Sequence, residues 1–485
     1  MLKLYNTLTH RKQAFKPISD SRVGMYACGI TAYYLAHIGN LRKYVNDDVL
    51  RRILQHRGYA VEHVQNITDV GHLASDADEG EDKLRLEADK EHKSMRDIAA
   101  FYTNIFLKDF RLINILPPSR MPKASENVEE MLDLIRKLDE KGYLYKTEDG
   151  VYFDTSKFKD YGRLTGMGFR QLNESLKAGA RVELIKGKRN ITDFAVWRLA
   201  TSHMTEMVWG SPWGKGYPGW HIECSAMRMK YLGKHYDIHT GGVDHIQVHH
   251  TNEIAQSEAA TGEKVVNYWF HGEFLIVADQ KMSKSLRNIY TLQDIIEKGY
   301  PPLALRLFYL SGHYRQQLNF TLEALTNAAN TLRGTHLFMQ RLNEVKSTAK
   351  NEDSSEFRKR IAAHKKAFFK ALDDDINMPH ALAELHAIIS VTNSREAEGK
   401  LNKSEARSVT RTMLELDEIL GLDFDKYANA KKEPLAVEVE KLIQEREDAR
   451  KAKDFQRADE IRRILKETYH IVLEDTRDGV KWRVE

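Results

Sequence analysis

Cysteine is nearly absent from this chain: there are two in 485 residues, Cys28 and Cys224. Two thiols so far apart exclude the stapled framework of a small secreted domain. They fit a reducing compartment, of which the cytoplasm is the simplest, where paired thiols more often bind metal than each other. Long apolar runs are missing too. No stretch of about 18 apolar residues occurs, so no segment reads as a membrane-spanning helix. The start, MLKLYNTLTHRKQAFKP, lacks the apolar stretch of a secretion signal. Charge of one sign is scarce: Lys plus Arg number 74 against 70 for Asp plus Glu, a formal net of +4. Any nucleic-acid surface must then be a local patch. The short metal motifs CxxC and HExxH are also lacking.

What is present describes a globular chain, with 42% hydrophobic and 30% charged residues. Its length exceeds one ordinary core and implies two to four domains. RVGMYACGI (22–30) reads as a buried strand. From Gly39, the spacing of Leu41, Val45, Val49, Leu50, Ile53 and Leu54 predicts an amphipathic helix. AVEHVQNI (60–67) reads as a second strand. This is a βαβ unit whose first turn holds His37-Ile-Gly-Asn40, where free N–H groups and the helix dipole favour anions.

The acidic run DADEGED (76–82) reads as a solvated loop, or less simply as a cation site. ILPPSRMP (115–122) is a Pro-rich break, and the section after it reads as an insertion with a helix from Val128 to Leu138. HYDIHTGG and NYWFHGEFLIV look like two further buried strands. Beyond GYPP (299–302) the pattern turns helical to about Leu422. YANAKKEP reads as a linker. A charged helix pair follows, then a hairpin with Asp-Gly in its turn.

Cys28, Cys224, His249 and Glu253 are all zinc ligand types, and His249 and Glu253 stand one helical turn apart. Spacing alone favours plainer readings: buried thiols, and a polar pair His249–His250 on a helix surface. A second motif changes the balance. Lys281-Met-Ser-Lys-Ser285 reads as a loop whose lysines and hydroxyls can grip a polyphosphate.

With both motifs in this order, the chain resembles the class I aminoacyl-tRNA synthetases, and among them the cysteinyl-tRNA synthetases. CGITAYYLAHIGNLRKYV, VQNITDV, GYPGWHIECSAM, DIHTGGVDHIQVHHTNEIAQSEAATG, KMSKSLRN and LSGHYRQQLNF carry the resemblance. It implies an α/β Rossmann-type catalytic domain in two halves (1–120 and 206–290) around a connective insertion (121–205). It further implies a stem-contact region (291–320), an α-helical anticodon-binding bundle (321–430) and a small C-terminal α+β domain (431–485).

The resemblance also implies an activity: ATP-driven activation of L-cysteine, then transfer to the terminal adenosine of tRNA(Cys), by a monomer. It places one Zn²⁺ on Cys28, Cys224, His249 and Glu253 as the element that recognises the substrate thiolate, with Mg²⁺ accompanying ATP. His37, Asn40, Lys281 and Lys284 would act on the phosphates. Ile30, Thr31 and Gly39 would line the ATP site. Gly29, Thr68, Trp220 and Asp244 would line the cysteine pocket, with Asp69 beside Thr68. Asn40 stands where histidine is common in the first motif. Two rivals remain: a ligase passing cysteine to an amino-sugar, and a non-catalytic zinc-containing RNA-binding relative.

Overall fold

In the computed structural model, four parallel strands organise the N-terminal unit, Met1–Ala428. The described residues are 1–70, 83–178, 187–201, 204–282, 286, 288–346, 354–429, 437–469, 471–476 and 479–484. Lys284, the acidic run 76–82 and most of the YANAKKEP stretch lie outside them.

The first strand, β1 (Arg22–Thr31), is followed by helix α1 (Ile38–His56) and strand β2 (Ala60–Thr68). After the insertion come helix α2 (Trp220–Leu232), strand β3 (Tyr236–Gly242), helix α3 (His249–Thr261) and strand β4 (Val266–Gly272). The sheet order is β4-β3-β1-β2, with every neighbour parallel. Both faces are covered, which is why these strands are almost continuously apolar or buried. Alternation assigns Met25 to one core cluster and Tyr26 to the other. On the first face lie Leu41, Val45, Val49, Leu50, Ile53 and Leu54 of α1, as their spacing requires. On the second lie Ile222, Met227 and Ile254 from α2 and α3.

The strand order decides where a ligand can bind. β2 is added on one side of β1, and β3 and β4 on the other. The connections therefore part between β1 and β3, and the carboxyl ends of those strands open into a crevice. Cys28 to Thr31 end one of them, and Gly241 and Gly242 end the other.

The insertion carries its own antiparallel sheet of Leu144–Lys146, Gly150–Phe153, Phe194–Leu199 and Gly216–Pro218. Helices Leu322–Glu344, Ser354–Asp373, Met378–Ala397 and Lys403–Leu420 form the later part of the unit. A short strand, Leu318–Phe320, precedes them and pairs with Leu275–Val277, a non-local contact that periodicity did not reveal.

The second unit, Asn429–Glu485, holds helices Val437–Lys451 and Phe455–Tyr469 and the hairpin Ile471–Thr476 with Gly479–Val484. Its small core includes Val439, Ile461, Leu465 and Leu473. The hairpin register pairs Thr476 with Gly479, so Gly479 belongs to the strand and not to the turn expected from Asp-Gly.

Candidate active site

The site begins with an irregularity in β1. Ala27 pairs with Gln65 but Ile30 pairs with Ile67, so β1 carries one residue more than β2. Such a bulge bends the strand and re-aims a side chain. Here it falls at Cys28 and Gly29. Gly29 donates its N–H to Asn66 Oδ1 at 2.8 Å. A Cβ at Gly29 would lie 1.6 Å from the Asn66 carbonyl oxygen, so only glycine fits.

The bulge brings Cys28 against the buried ends of α2 and α3. Ligand atoms of Cys28, Cys224, His249 and Glu253 all lie within 4.8 Å of one another, and all four residues are buried. His249 Nε2 is 3.1 Å from Glu253 Oε1 across one turn of α3. The other carboxylate oxygen, Oε2, has no hydrogen bond among the described residues, although Arg228 Nε stands 3.6 Å away. Two thiols, an imidazole and a carboxylate at this spacing fit a tetrahedral soft-metal site.

Protonation in this cluster is coupled. Burial pushes the Cys28 thiol up, but the Cys224 thiol and the neighbouring histidines outweigh it and hold Cys28 well below its ordinary value. Cys224 is correspondingly raised, by its hydrogen bond with Cys28 and by burial. Burial also opposes ionisation of Glu253, yet His239 and His249 hold its carboxyl below the usual range. For His249, burial acts downward but Cys28 and Glu253 prevail, raising it to about 10.

The second component is the start of α1. His37 is its N-cap, and ring Nδ1 accepts from the N–H groups of Gly39 at 3.1 Å and Asn40 at 3.2 Å. The Asn40 side chain accepts in return from the His37 N–H at 3.2 Å. Burial lowers the His37 pKa against the pull of Asp244. A neutral ring whose Nδ1 accepts must carry its proton on Nε2, so His37 presents one N–H donor. A Cβ on Gly39 would lie 2.4 Å from Met282 Cε, which brings the two sequence motifs into contact.

One pocket of 1090 Å³ joins these components. Cys28, Gly29, Ile30, Thr31, His37, Gly39, Asn40, Thr68, Trp220, Cys224, Asp244, His249 and Lys281 all line it. Glu253 sits behind this wall and is fully buried. The Trp220 ring lies 4.3 Å from that of His249. Thr68 donates to Glu223 at 3.0 Å. Lys281 is exposed at the rim, its ammonium 5.8 Å from the Phe274 ring. Asp69 departs from expectation: its carboxylate accepts from the N–H and hydroxyl of Ser125, at 2.9 and 2.6 Å, and it does not line the pocket.

The plainer reading of His249 and His250 as a surface pair is also overturned, because both are buried. The sequence reading missed Asn66, which holds Gly29, and Lys43, whose ammonium reaches Cys28. It also gave no role at the site to His239 and His250, which crowd the thiol. A histidine inside a strand read as buried, DIHTGG, was the available signal.

Residues 14–330 match the family of tRNA synthetases class I (C) catalytic domains, and residues 367–425 match the DALR domain. The chain is 42% identical to the cysteine–tRNA ligase of Treponema denticola, over 99% of each chain. It is 43% identical to cysteine–tRNA ligase 1 of Burkholderia lata, over 99% of this chain and 96% of that one. The fold is similar to that of Mycobacterium tuberculosis methionyl-tRNA synthetase in complex with methionyl-adenylate, with TM-score 0.59 and 16% identity over 84% of this chain and 91% of that one. One family model over residues 14–330 and identities of 42% and 43% over nearly the full length leave one conclusion: the chain belongs to the cysteine–tRNA ligases, a class I tRNA synthetase family.

Proposed function

We propose that the pocket activates L-cysteine with ATP and passes the cysteinyl group to the terminal adenosine of tRNA(Cys). The observation that carries this reading is that a thiol-rich donor cluster and the His37 turn open into the same pocket. The substrate carboxylate attacks the α-phosphorus of ATP, and pyrophosphate leaves. A ribose hydroxyl of the tRNA end, the 2′-hydroxyl in class I chemistry, then takes the cysteinyl group from the adenylate.

Most of this is positioning and charge stabilisation. His37 Nε2–H meets the phosphates, and Gly39, whose own N–H is taken by His37 Nδ1, lets the backbone approach them closely. Asn40 holds the turn through its capping contact. Lys281 and Lys284 neutralise the departing pyrophosphate, with Mg²⁺ travelling on ATP. Ile30 and Thr31 border the nucleotide. Gly29, Thr68 and Trp220 shape the amino-acid end, and Asp244 receives the ammonium group.

Cys28, Cys224, His249 and Glu253 would hold Zn²⁺. Bound there, zinc supplies a soft Lewis acid that a cysteine thiolate satisfies and a serine hydroxyl does not. Rejection of serine by a factor of about 10⁴ needs no editing domain on that basis.

Pyrophosphate exchange with cysteine and with serine tests the reading. Cysteine-dependent exchange with none for serine is expected. No exchange from metal-loaded protein would leave a binding module instead. Labelled cysteine appearing on an amino-sugar and not on bulk tRNA would name a different acceptor.

A further inference from the structure

A second donor set lies directly behind the first. Ligand atoms of Cys28, His239, His250 and Glu253 also fall within 4.8 Å of one another. Cys28 Sγ is 3.1 Å from His250 Nε2 and 3.7 Å from His239 Nε2. His239 Nε2 is 3.4 Å from Glu253 Oε1 and 3.1 Å from His250 Nε2. Four donors of metal-binding type thus converge on one point.

The two imidazoles are also oriented from outside. His239 turns its other nitrogen, Nδ1, to the Tyr236 hydroxyl. His250 Nδ1 meets His271 Nε2 at 2.8 Å, and His271 Nδ1 meets the Thr7 hydroxyl at 2.8 Å. A partner on the far nitrogen is what fixes the tautomer and direction of a metal-ligating histidine. Both rings are therefore held with Nε2 pointing at the thiol and the carboxylate. His239, His250 and Glu253 are fully buried, and none of the three lines the pocket.

We propose that a divalent transition-metal ion has a second position in this protein, on Cys28, His239, His250 and Glu253. This rests on the metal reading given above. The two positions share Cys28 and Glu253, so one ion occupies one or the other. The pocket-side position has two sulfur donors and suits zinc. The rear position has one sulfur and two imidazoles and suits Co²⁺ or Ni²⁺ relatively better. Of the rear donors only Cys28 lines the pocket, so an ion there sits behind the pocket wall. Cysteine binds only the forward ion, so substrate shifts the ion forward by mass action.

Metal content, read without any activity assay, decides this. Wild type and Cys224→Ala are each loaded with zinc, desalted and analysed. Cys224→Ala is expected to keep about one ion per chain on the rear set, and Cys224→Ala/His239→Ala to keep none. A loaded wild type with metal-free Cys224→Ala overturns this inference alone. Retention by the double variant also overturns it. A metal-free wild type overturns both it and the reading beneath it. X-ray absorption of nickel-loaded wild type requires no substitution: one sulfur with two imidazoles supports the rear position, and two sulfurs overturn it.

Discussion

Lys43 reaches from the first turns of α1 to the bulge of β1, where its Nζ donates to the carbonyl oxygen of Cys28 at 2.7 Å. The same ammonium pairs with Asp47 at 2.8 Å, in a contact that leaves little of either side chain exposed. The helix that opens with the His37 turn therefore also grips the backbone of Cys28, the first of the proposed metal donors. Lys43→Met is expected to weaken metal binding about 10-fold, the usual effect of losing an outer partner of a ligand. Competition with a chromophoric chelator measures it. Because Asp47 would be left buried without its cation, Lys43→Met/Asp47→Asn should recover stability but not metal affinity. Recovery of both would mean that the Cys28 contact is idle.

Gly29 should tolerate no side chain. The Cβ of alanine would meet a backbone oxygen at 1.6 Å, and a backbone atom cannot swing aside. Gly29→Ala is expected to cost about 1–3 kcal/mol as overpacking and to displace Cys28. Thermal melting and zinc content report the two effects separately. A variant of wild-type stability with full zinc would show that the bulge yields.

His37 has two separable duties. Its ring caps α1, and the residue lines the pocket, where Nε2–H is its remaining donor. His37→Ala loses both, with about 0.5–2 kcal/mol of stability from the cap. His37→Asn restores a good cap but not the extended donor. Pyrophosphate exchange should fall about 10²–10³-fold in both variants, with melting near wild type only for Asn. Equal exchange by His37→Asn and wild type would reduce His37 to a cap.

Asp109 offers a pH test at a residue that does not line the pocket. It lies on the buried side of helix Met95–Leu112, and burial pushes its carboxyl up to about 6, with Lys108 opposing. A raised acid favours the fold while protonated. Its contribution is present below the unfolded value of about 4 and is lost as pH rises through about 6. Asp109→Asn keeps the neutral form at every pH. Its stability gain over wild type should be small near pH 4 and reach on the order of 2 kcal/mol near pH 7.5. Urea melts at both values check it, and a gain independent of pH would refute the assignment.

Local order was legible in the sequence wherever it came from local physics. The 3.6-residue stripe from Leu41 to Leu54 announced α1, and the apolar runs around Tyr26 and Val64 announced β1 and β2. The residue types of Cys28, Cys224, His249 and Glu253 allowed a metal site, but their spacing favoured plainer readings, and it was the family resemblance that assigned them to zinc.

What spacing cannot express is which surface closes over a helix. HHTNEIAQSEAAT is polar enough to read as exposed, yet α3 buries His249, His250, Asn252, Glu253 and Gln256. Their partners come from separate elements: Cys28 on β1, Tyr161 in the insertion, His221 and Ser225 on α2, His239 on β3 and His271 on β4. The bulge at Cys28, the turning of Asp69 toward Ser125 and the rear pair His239–His250 likewise depend on strand register and on which elements become neighbours. Periodicity sets the face a residue shares, and only the packed fold sets what that face meets.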